Sequence, residues 1–346
     1  MPAEIHYPFA GVPANGEVRE AAPGVFWVRM PLPFRLDHIN LWLIEEDDGW
    51  TVIDTGIACE ETKAAWERIV ATHCAGKPLR RMIVTHFHPD HVGLAGWMAD
   101  RFGAALWMPL AEWAFARVLG AGRSPAAEEG YGRFYRAAGF GPDRMELVAS
   151  RSGNYATRIT PIPFALRRIE DNEVIAIGGR NWQVIVGGGH SYEHASLYCA
   201  ELGVLIAGDQ VLPQISPNIS VWPSEPEADP LRHFLASLER FRQLPEDTLV
   251  LPGHRRPFTG LHGRLGALAT HHDERLARTW EACAEPRTGL DVLKVLFEQS
   301  LDDHQVFFAV GESLAHLHFL VGQGRMTRTC RGDGVCLFER WGDCNA

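Results

Sequence analysis

The sequence predicts a mixed α/β fold in which a large N-terminal domain carries a helical insertion and precedes a small C-terminal domain. Apolar strand segments alternate with helical segments up to about residue 262, and from Gly263 onward the pattern changes to helices followed by one hairpin. At 346 residues the chain is longer than a single hydrophobic core usually supports. We therefore expect one domain over residues 1–262 and a second over residues 263–346.

Strand and helix signals follow one another through the first 110 residues. Alternating apolar residues predict strands in GVFWVRMPL, HINLWLIEE and WTVIDTG, and helical spacing predicts a helix in ETKAAWERIVATHC. The run RMIVTH predicts a strand, HVGLAGWMADRFG predicts a helix with Gly103 at its C-cap, and ALWMP predicts another strand. A histidine cluster between RMIVTH and that helix is thus expected at the carboxyl end of a strand.

The rest of the chain returns to strands and then changes to helices. Residues 110–160 are predicted to be a helical insertion, because AEWAFARVLG and YGRFYRAAGF have helical periodicity. Strands are expected in RRIEDNEVIAIGGRNWQVIVGGGH, SLYCAELGVLIAGD and TLVLPGH, with a helix in DPLRHFLASLERFRQL. Beyond residue 263, three helices and a hairpin in MTRTCRGDGVCLFERW are similar in order to a winged-helix domain.

Charge disfavours a nucleic-acid partner. The formal net charge of the chain is −10, and residues 263–346 hold nine Lys and Arg against twelve Asp and Glu. A nucleic-acid reader is expected to present a basic surface, so the C-terminal domain has the wrong sign for that role. It is instead expected to pack against the N-terminal domain or against a second subunit, as in a homodimer.

Targeting and cysteine signals predict a reduced protein of the cytoplasm. The N-terminal residues lack a basic and apolar leader, and no run of about 18 apolar residues suggests a membrane segment. The seven cysteines contain no C-x-x-C pair, so we expect them to be reduced thiols. The spacing of Cys330, Cys336 and Cys344 matches no common zinc site.

The segment THFHPDHVG carries the strongest functional signal. It places His86, His88, Asp90 and His91 within six consecutive positions. Imidazole and carboxylate groups at this density predict a metal site, and the alternative is a solvated loop in which Asp90 only caps the next helix. Three more candidate ligands each follow an apolar strand and a glycine, and therefore should reach the same sheet edge; they are His190, Asp209 and His254.

The segments VIDTG, THFHPDHVG, GGGHSYEHASLY, AGDQ and PGHRRPF, in this order, resemble the metallo-β-lactamase superfamily of hydrolases over about residues 20–260. The resemblance implies an αββα sandwich with a two-metal site at the sheet edges. It assigns one metal ion to His86, His88 and His190, the second to Asp90, His91 and His254, and a bridging role to Asp209. It also implies that Asp54 supports the ligands from behind, the alternative being a turn residue before Gly56.

This ligand set suits two Zn²⁺ ions per chain, with Fe or Mn as alternatives. Two ions about 3.5 to 4 Å apart acidify a shared water, so we expect hydrolysis by a metal-bridging hydroxide, with Asp90 required for catalysis. Tyr192 and His194 could donate hydrogen bonds to a developing oxyanion, although His194 could instead only anchor its loop. Asp209 stands where the best-known zinc β-lactamases are expected to carry Cys, which disfavours antibiotic hydrolysis.

The substrate is a separate question, because one fold supports many reactions. The T-H-x-H-x-D-H cluster is similar to that of glyoxalase II-type thioesterases, which favours a thioester, ester or lactone. The C-terminal domain is similar to that of β-lactamase-like proteins that include an endoribonuclease, so phosphodiester hydrolysis is the alternative. An iron redox enzyme on this scaffold is disfavoured, because one such class uses a single metal and another carries Glu where His88 stands.

Arginines and aromatic residues give weaker hints about a small-molecule substrate. Arg255 and Arg256 follow the last ligand and could hold an anionic handle such as a coenzyme A or glutathione moiety, and the alternative is ordinary surface arginines. Arg167 and Arg168 are the weaker pair of the same kind. Aromatic residues that could line an acyl pocket, although helical spacing more often marks a core, are Trp113, Phe115, Phe134, Tyr135 and Trp222.

Overall fold

The computed structural model describes residues 4–74, 76–122, 124–151, 155–297, 301 and 305–341. The strands lie at Val18–Ala22 (β1), Val25–Pro31 (β2), His38–Glu46 (β3), Gly49–Ile53 (β4), Leu79–Ile83 (β5), Ala105–Met108 (β6), Arg167–Arg168 (β7), Val174–Ile177 (β8), Arg180–Gly187 (β9), His194–Cys199 (β10), Val204–Gly208 (β11), Leu249–Pro252 (β12), Met326–Cys330 (β13) and Cys336–Arg340 (β14).

The helices lie at Glu60–Thr72 (α1), Pro89–Val92 (α2), Ala95–Phe102 (α3), Leu110–Gly120 (α4), Pro125–Ala137 (α5), Pro142–Arg151 (α6), Pro230–Phe241 (α7), Leu261–Ala282 (α8), Gly289–Leu296 (α9) and Gln305–Gly322 (α10). A 3₁₀ turn covers Ala156–Arg158. Within the described part of the chain, no helix combines the length and the apolar character that a membrane crossing requires.

Two sheets form the core of the larger part of the molecule. Strands β1 to β7 form a seven-stranded sheet in sequence order, and a five-stranded sheet has the order β12, β11, β10, β9, β8. The first sheet is antiparallel through β4 and parallel from β4 to β7, whereas the second contains one parallel pair, β11 with β12. Buried side chains of both sheets, such as Trp27 and Trp182, share one apolar cluster, so the sheets pack face to face.

Strand β3 shows why the sheets form a sandwich rather than one exposed sheet. Its residues from His38 to Ile44 are all buried, on both faces of the strand. A strand that is covered on both faces reads as a nearly continuous apolar run, as INLWLI does here. Trp42 stacks on Trp27 of β2 at 6.1 Å between ring centroids, toward the second sheet.

The predicted strands and helices are present, and one helix differs from its prediction. HVGLAGWMADRFG forms part of α2 and then α3, with a break at Gly93 and Leu94. The backbone at Gly93 lies so close to its neighbours that a Cβ there would be 2.3 Å from the Pro89 carbonyl oxygen. Gly103 ends α3 in the left-handed conformation, with φ 72°, which confirms its predicted role as a C-cap. Strand β1 was not predicted, because VREAA shows no apolar alternation.

The chain divides into two compact units. The first contains Met1–Gly122, Gly153–Pro217 and Arg240–Leu265, and the second contains Arg123–Ser152, Asn218–Glu239 and Gly266–Ala346. The helical insertion expected over residues 110–160 is therefore shared: α4 belongs to the first unit, and α5 and α6 belong to the second. The predicted division at residue 262 stays a prediction.

The C-terminal segment has the predicted order of three helices followed by a hairpin, but one expectation about its cysteines is wrong. Cys330 and Cys336, which face each other across β13 and β14, form a disulfide with their Cα atoms 4.0 Å apart. Direct cross-strand pairing brings the two thiols within bonding range, so these cysteines are not reduced and cannot ligate zinc. Cys344 lies outside the described residues.

Candidate metal centre

The predicted ligands come together in the first unit, in the segments that directly follow four strands. His86, His88, Asp90 and His91 follow β5, whereas His190, Asp209 and His254 follow β9, β11 and β12. His86, His91, His190, Asp209 and His254 are buried, and His88 and Asp90 are partly buried. Three groups drawn from these seven side chains each bring their ligand atoms within 4.8 Å of one another. The shared sheet edge expected from the sequence thus exists for all seven residues.

The first ligand set consists of three imidazoles. His86 Nε2 lies 2.9 Å from His88 Nδ1 and 3.3 Å from His190 Nε2. Two nitrogens that each bind a tetrahedral zinc ion at about 2.0 to 2.1 Å are roughly 3.3 Å apart, so these three atoms are suitably spaced for one such ion.

The second ligand set combines a carboxylate with two imidazoles. His254 Nε2 lies 3.3 Å from Asp90 Oδ2, and His91 Nε2 lies 3.8 Å from the same oxygen. Both imidazoles therefore direct Nε2 toward Asp90. Mixed imidazole and carboxylate donors of this kind suit Zn²⁺, Fe or Mn.

Asp209 lies between the two sets. Its Oδ2 is 3.6 Å from His190 Nε2 and 3.3 Å from His254 Nε2, and its Oδ1 is 3.4 Å from His91 Nε2. Among the described residues, the buried His91 Nε2 and Asp209 Oδ1 atoms make no hydrogen bond, although unpaired buried polar atoms are costly. Gly253 leaves room for this carboxylate, since a Cβ there would lie 2.4 Å from Oδ1. The donor atoms thus fit a pair of metal ions.

The two sets differ in charge. Burial and the neighbouring imidazoles keep the pKa of His86 well below its ordinary value and lower that of His88 to about 3, so these two imidazoles of the first set are neutral. In the second set burial also lowers the pKa of His91, but Asp54, Asp209 and Asp90 together raise it well above its ordinary value. The carboxylates in the second set thus create a negative environment that favours a cation.

Asp54 supports His91 from behind, as the family resemblance implied. Asp54 follows β4 with φ 61°, and its Oδ2 accepts a hydrogen bond from His91 Nδ1 at 2.7 Å. This bond leaves Nε2 of His91 directed toward the other ligands. Asp54 also accepts from the Thr85 backbone N–H at 2.7 Å and from the Thr85 hydroxyl at 2.9 Å. The interpretation of Asp54 as a simple turn residue does not account for these three bonds.

Two further supporting residues were not singled out from the sequence. The Thr85 hydroxyl, which donates to Asp54, is also 2.9 Å from His86 Nδ1 and accepts from it, so that Nε2 of His86 faces the first ligand set. His254 Nδ1 donates to the His38 carbonyl oxygen at 2.8 Å, which orients Nε2 of His254 in the same way. Thr85 belongs to the quoted motif and could have been noticed, whereas His38 is 216 positions from His254.

The two candidate oxyanion donors differ in their surroundings. His194 is fully buried, and its Nε2 accepts a hydrogen bond from the Asp209 backbone N–H at 3.0 Å. Burial lowers its pKa well below the ordinary value, so this nitrogen is an acceptor rather than a proton donor. These contacts favour an anchoring role over a donor role, although the backbone that His194 holds is that of Asp209 and not that of its own loop. Tyr192 is partly buried and packs against Phe115 at 4.8 Å between ring centroids.

The two arginines that follow His254 have different contacts. Arg255, with φ 71°, donates its backbone N–H to His38 Nε2 at 2.9 Å, and its carbonyl accepts from Asn40. Arg256 donates to the Phe9 carbonyl and lies over a tyrosine ring, contacts that anchor the N-terminal segment.

Arg167 pairs with Glu173 and Arg168 with Glu170, as ordinary surface arginines do.

Three of the five aromatic residues proposed for an acyl pocket separate into two groups. Phe115 of α4 packs at 4.8 Å against Phe87, the residue between His86 and His88, as well as against Tyr192. Phe134 and Tyr135 are buried, with Tyr135 against Phe307 at 4.9 Å, within the second unit. Of these three residues, Phe115 therefore has contacts that join it to the ligand loops.

Glu112 is a buried acid that sequence reasoning missed. It lies in the first turn of α4, is fully buried, and accepts backbone hydrogen bonds from Phe87 at 2.9 Å and from Glu193 at 2.6 Å. Burial raises the pKa of its carboxyl to about 7, against the lowering effect of these bonds. The sequence offers no signal for it, because a single Glu in an amphipathic helix normally faces solvent.

Comparison with protein families and solved structures gives two family matches. The model of the metallo-beta-lactamase superfamily matches residues 35–254, which include all seven candidate ligands. The model of the metallo-beta-lactamase-like C-terminal domain matches residues 276–341. The crystal structure of a beta-lactamase domain protein from Burkholderia ambifaria is similar to this chain, with a TM-score of 0.91. The two sequences are 41% identical, and the match covers 97% of this chain and 98% of the other protein.

Two curated proteins are more distant relatives. One is named "Probable metallo-hydrolase YqjP" of Bacillus subtilis (strain 168); it is 25% identical over 330 residues, which are 90% of this chain and 96% of the relative. The other is a hydroxyacylglutathione hydrolase of Albidiferax ferrireducens, which is 23% identical over 235 residues, 67% of this chain and 68% of the relative. The first relative matches both compact units, and the second matches about two thirds of the chain.

Proposed function

Because this chain belongs to the metallo-beta-lactamase superfamily of hydrolases, we propose that it uses two metal ions to hydrolyse a thioester, ester or lactone of a small molecule. The observation that carries the proposal is the position of Asp209, which lies within 3.6 Å of imidazole nitrogens from both ligand sets. A single carboxylate so placed can serve both ions. A site built for one ion would have no need of the second set.

The donor atoms favour zinc as the resident metal. No thiolate is present in either set, and imidazole nitrogens with carboxylate oxygens suit Zn²⁺, with Fe or Mn as the alternatives. When bound, two such ions lower the pKa of a water molecule toward neutrality and polarise the carbonyl oxygen of the substrate. The first set would be His86, His88 and His190, and the second Asp90, His91 and His254.

The protein's own groups prepare the site for this chemistry. Asp54 and the His38 carbonyl each accept the Nδ1 proton of an imidazole, which leaves the Nε2 lone pairs of His91 and His254 for a metal. His194 fixes the backbone of Asp209. In this proposal these residues only position ligands, and the acidic groups of the second set supply the negative charge that attracts the cations.

Support for an acyl substrate comes from the surroundings of the ligand loops and from one relative. The partly exposed Phe115 and Tyr192, which pack on the buried Phe87, form an aromatic group beside the first ligand set, which suits an apolar acyl chain better than a polyanion. The relative from Albidiferax ferrireducens is named for the hydrolysis of a glutathione thioester. Arg255 is the arginine we propose for an anionic handle of the substrate, since Arg256 is engaged with the N-terminal segment.

A panel of substrates on metal-assayed protein tests this proposal. The panel contains acyl-coenzyme A, S-acylglutathione, a lactone and bis(p-nitrophenyl) phosphate, and metal content is measured by plasma emission spectrometry. We expect about two metal ions per chain and faster turnover of at least one acyl substrate than of the phosphodiester. Full activity in metal-free protein would refute a metal-dependent reaction.

Matched variants show whether turnover depends on the site. Asp209→Ala and Asp90→Ala are expected to lower kcat by at least 100-fold, because each removes a ligand. The control is Asp48→Ala, which should leave kcat unchanged. Asp48 is an exposed acid in the turn between β3 and β4, and it pairs with Arg80. Equal losses in all three variants would point to misfolding rather than to catalysis.

Phosphodiester hydrolysis is the alternative function, carried by the resemblance of the C-terminal domain. The charge of that domain argues against it, because nine basic residues stand against twelve acidic ones between positions 263 and 346. Salt-sensitive binding and cleavage of single-stranded RNA would favour the alternative over the acyl substrate.

A further inference from the structure

Glu112 joins the two loops that carry the first ligand set. Its Oε2 accepts the backbone N–H of Phe87 at 2.9 Å, and its Oε1 accepts the backbone N–H of Glu193 at 2.6 Å. Phe87 is the residue between ligands His86 and His88, and Glu193 is three positions after ligand His190. One carboxylate on α4 thus bridges two loops that are about 100 positions apart in the sequence.

Hydrogen bonds run in both directions between α4 and the loop that contains His190 and Glu193. The carboxylate of Glu193 accepts the backbone N–H of Ala111 at 2.9 Å, while the carboxylate of Glu112 accepts the backbone N–H of Glu193. The Ala111 N–H belongs to the first turn of α4, where no partner exists within the helix, and no side chain of Pro109 caps it. Helix and loop therefore satisfy each other's backbone groups, and neither can shift alone without leaving a donor unpaired.

The first loop is held from a second side as well. The Tyr155 hydroxyl donates to the Phe87 carbonyl oxygen, so that both backbone groups of Phe87 are bonded to side chains. Phe87 itself is 1% exposed. Burying a carboxylate that accepts hydrogen bonds only from neutral donors costs free energy. This cost is consistent with a functional role for the position of Glu112.

We propose that Glu112 is a positioning residue that holds His86, His88 and His190 in the arrangement needed for the first metal ion. The inference rests on the proposed function, because it assumes that these imidazoles bind metal. It is specific to one set, since the second set has its own supports: Asp54 bonds to His91, and the His38 carbonyl bonds to His254.

Glu112→Gln is the informative substitution, because glutamine keeps the size of the side chain and one acceptor oxygen. Its amide nitrogen would face the second backbone N–H, donor against donor, so one of the two loops would be released. Changes in residues that support ligands typically lower metal affinity by about 10- to 100-fold. We expect a loss of this size at the first set, and little change at the second set.

Two background variants separate the sets. His254→Ala removes a ligand of the second set, and His88→Ala removes one of the first. Adding Glu112→Gln to His254→Ala should lower the remaining metal affinity about 10- to 100-fold, measured with a competing chelator. Adding it to His88→Ala should change the affinity less than about threefold.

Two further variants guard against general misfolding. Glu46→Gln alters another poorly exposed acid of the same unit, which bonds to Arg81 and Thr51 and not to either loop, and should leave metal affinity unchanged. Tyr155→Phe removes only the hydroxyl that bonds to Phe87 and should lower the affinity of the first set by a smaller factor. Thermal unfolding of each variant confirms that it is folded, and excess metal should restore the turnover of Glu112→Gln.

The outcomes distinguish this inference from the proposed function. Equal metal affinity in His254→Ala with and without Glu112→Gln would overturn the positioning role and leave the proposed function intact. Equal weakening of both sets would also overturn it, because Glu112 would then act on overall stability. If the wild-type chain binds two metals but hydrolyses no acyl substrate, the proposed function falls and the positioning role is still decided by the affinities.

Discussion

Replacing Asp54 by asparagine perturbs the second ligand set without changing the shape of the chain. Asp54 has φ 61°, a left-handed conformation that asparagine adopts more readily than most residues, so the backbone should tolerate the change. The two side chains have nearly the same size. Any effect on metal binding should therefore come from the hydrogen bonds of the carboxylate.

The hydrogen bonds determine which way the asparagine amide points. Its oxygen must face the Thr85 backbone N–H, which Asp54 Oδ1 accepts at 2.7 Å, because a backbone N–H can only donate. The amide nitrogen then takes the place of Oδ2 and donates toward His91 Nδ1, where the wild-type bond is 2.7 Å. The imidazole would have to carry its proton on Nε2, the atom that should bind the metal.

The expected loss is about 10- to 100-fold in affinity at the second set, or roughly 1.4 to 2.7 kcal/mol. Titration with a chelator of known affinity measures this loss, and Asp47→Asn, in the turn after β3, is the control. The first set should lose less affinity than the second, because the change reaches His86 only indirectly: the Thr85 hydroxyl loses Asp54 Oδ2 as its acceptor but keeps its contact with His86 Nδ1. Unchanged affinity at the second set would show that the bond to Asp54 does not govern the tautomer of His91, and the reasoning would be wrong.

Three further predictions concern the close packing at Gly253, the removal of metal, and the dependence of stability on pH. Gly253→Ala should lower the free energy of unfolding by about 1 to 3 kcal/mol and weaken metal binding, because the new Cβ would lie 2.4 Å from Asp209 Oδ1. Unfolding in urea measures the change, and Gly266→Ala, where a Cβ would meet open space, is the control. Dialysis against a chelator should lower the melting temperature in calorimetry, by the equivalent of roughly 4 kcal/mol if free metal stands at 1,000 times its Kd. Burial lowers the pKa of His272 to about 2 and that of His316 to about 4, so both stay neutral when folded, while the unfolded chain takes up protons below about pH 6.5. Stability should therefore fall as the pH drops from 7 to 5, by roughly 2 kcal/mol for each imidazole, and His272→Gln should show a smaller fall in urea unfolding; an equal fall would contradict the assignment.

The seven candidate ligands could be predicted because each lies beside its strand in the sequence. His190, Asp209 and His254 all follow an apolar strand and a glycine, a pattern that is visible within about eight residues. Asp54 was accessible in the same way, at the end of β4. Local pattern thus identifies which side chains reach the sheet edge.

The supports of those ligands could not be predicted, because their partners are distant in sequence and their residue types are common. His38 supports His254 through its backbone carbonyl, and every residue has a carbonyl, so the side chain at that position carries no signal. Glu112 faces the interior from a helix whose other residues give no sign of it. The disulfide of Cys330 and Cys336 depended on the register of a hairpin, which fixes cross-strand partners only once the turn is known.

The separate supports of the two ligand sets bear on which metals the chain holds. Three imidazoles form the first set, whereas Asp90 gives the second set an oxygen ligand in place of one nitrogen. Imidazole favours zinc, and carboxylate oxygen increases the tolerance for manganese and iron. Since the first set is held through Thr85 and Glu112 and the second through Asp54 and His38, the geometry of one set can change without the other. Metal exchange should therefore begin at the second set, and the shared carboxylate of Asp209 is the contact through which it would affect the first.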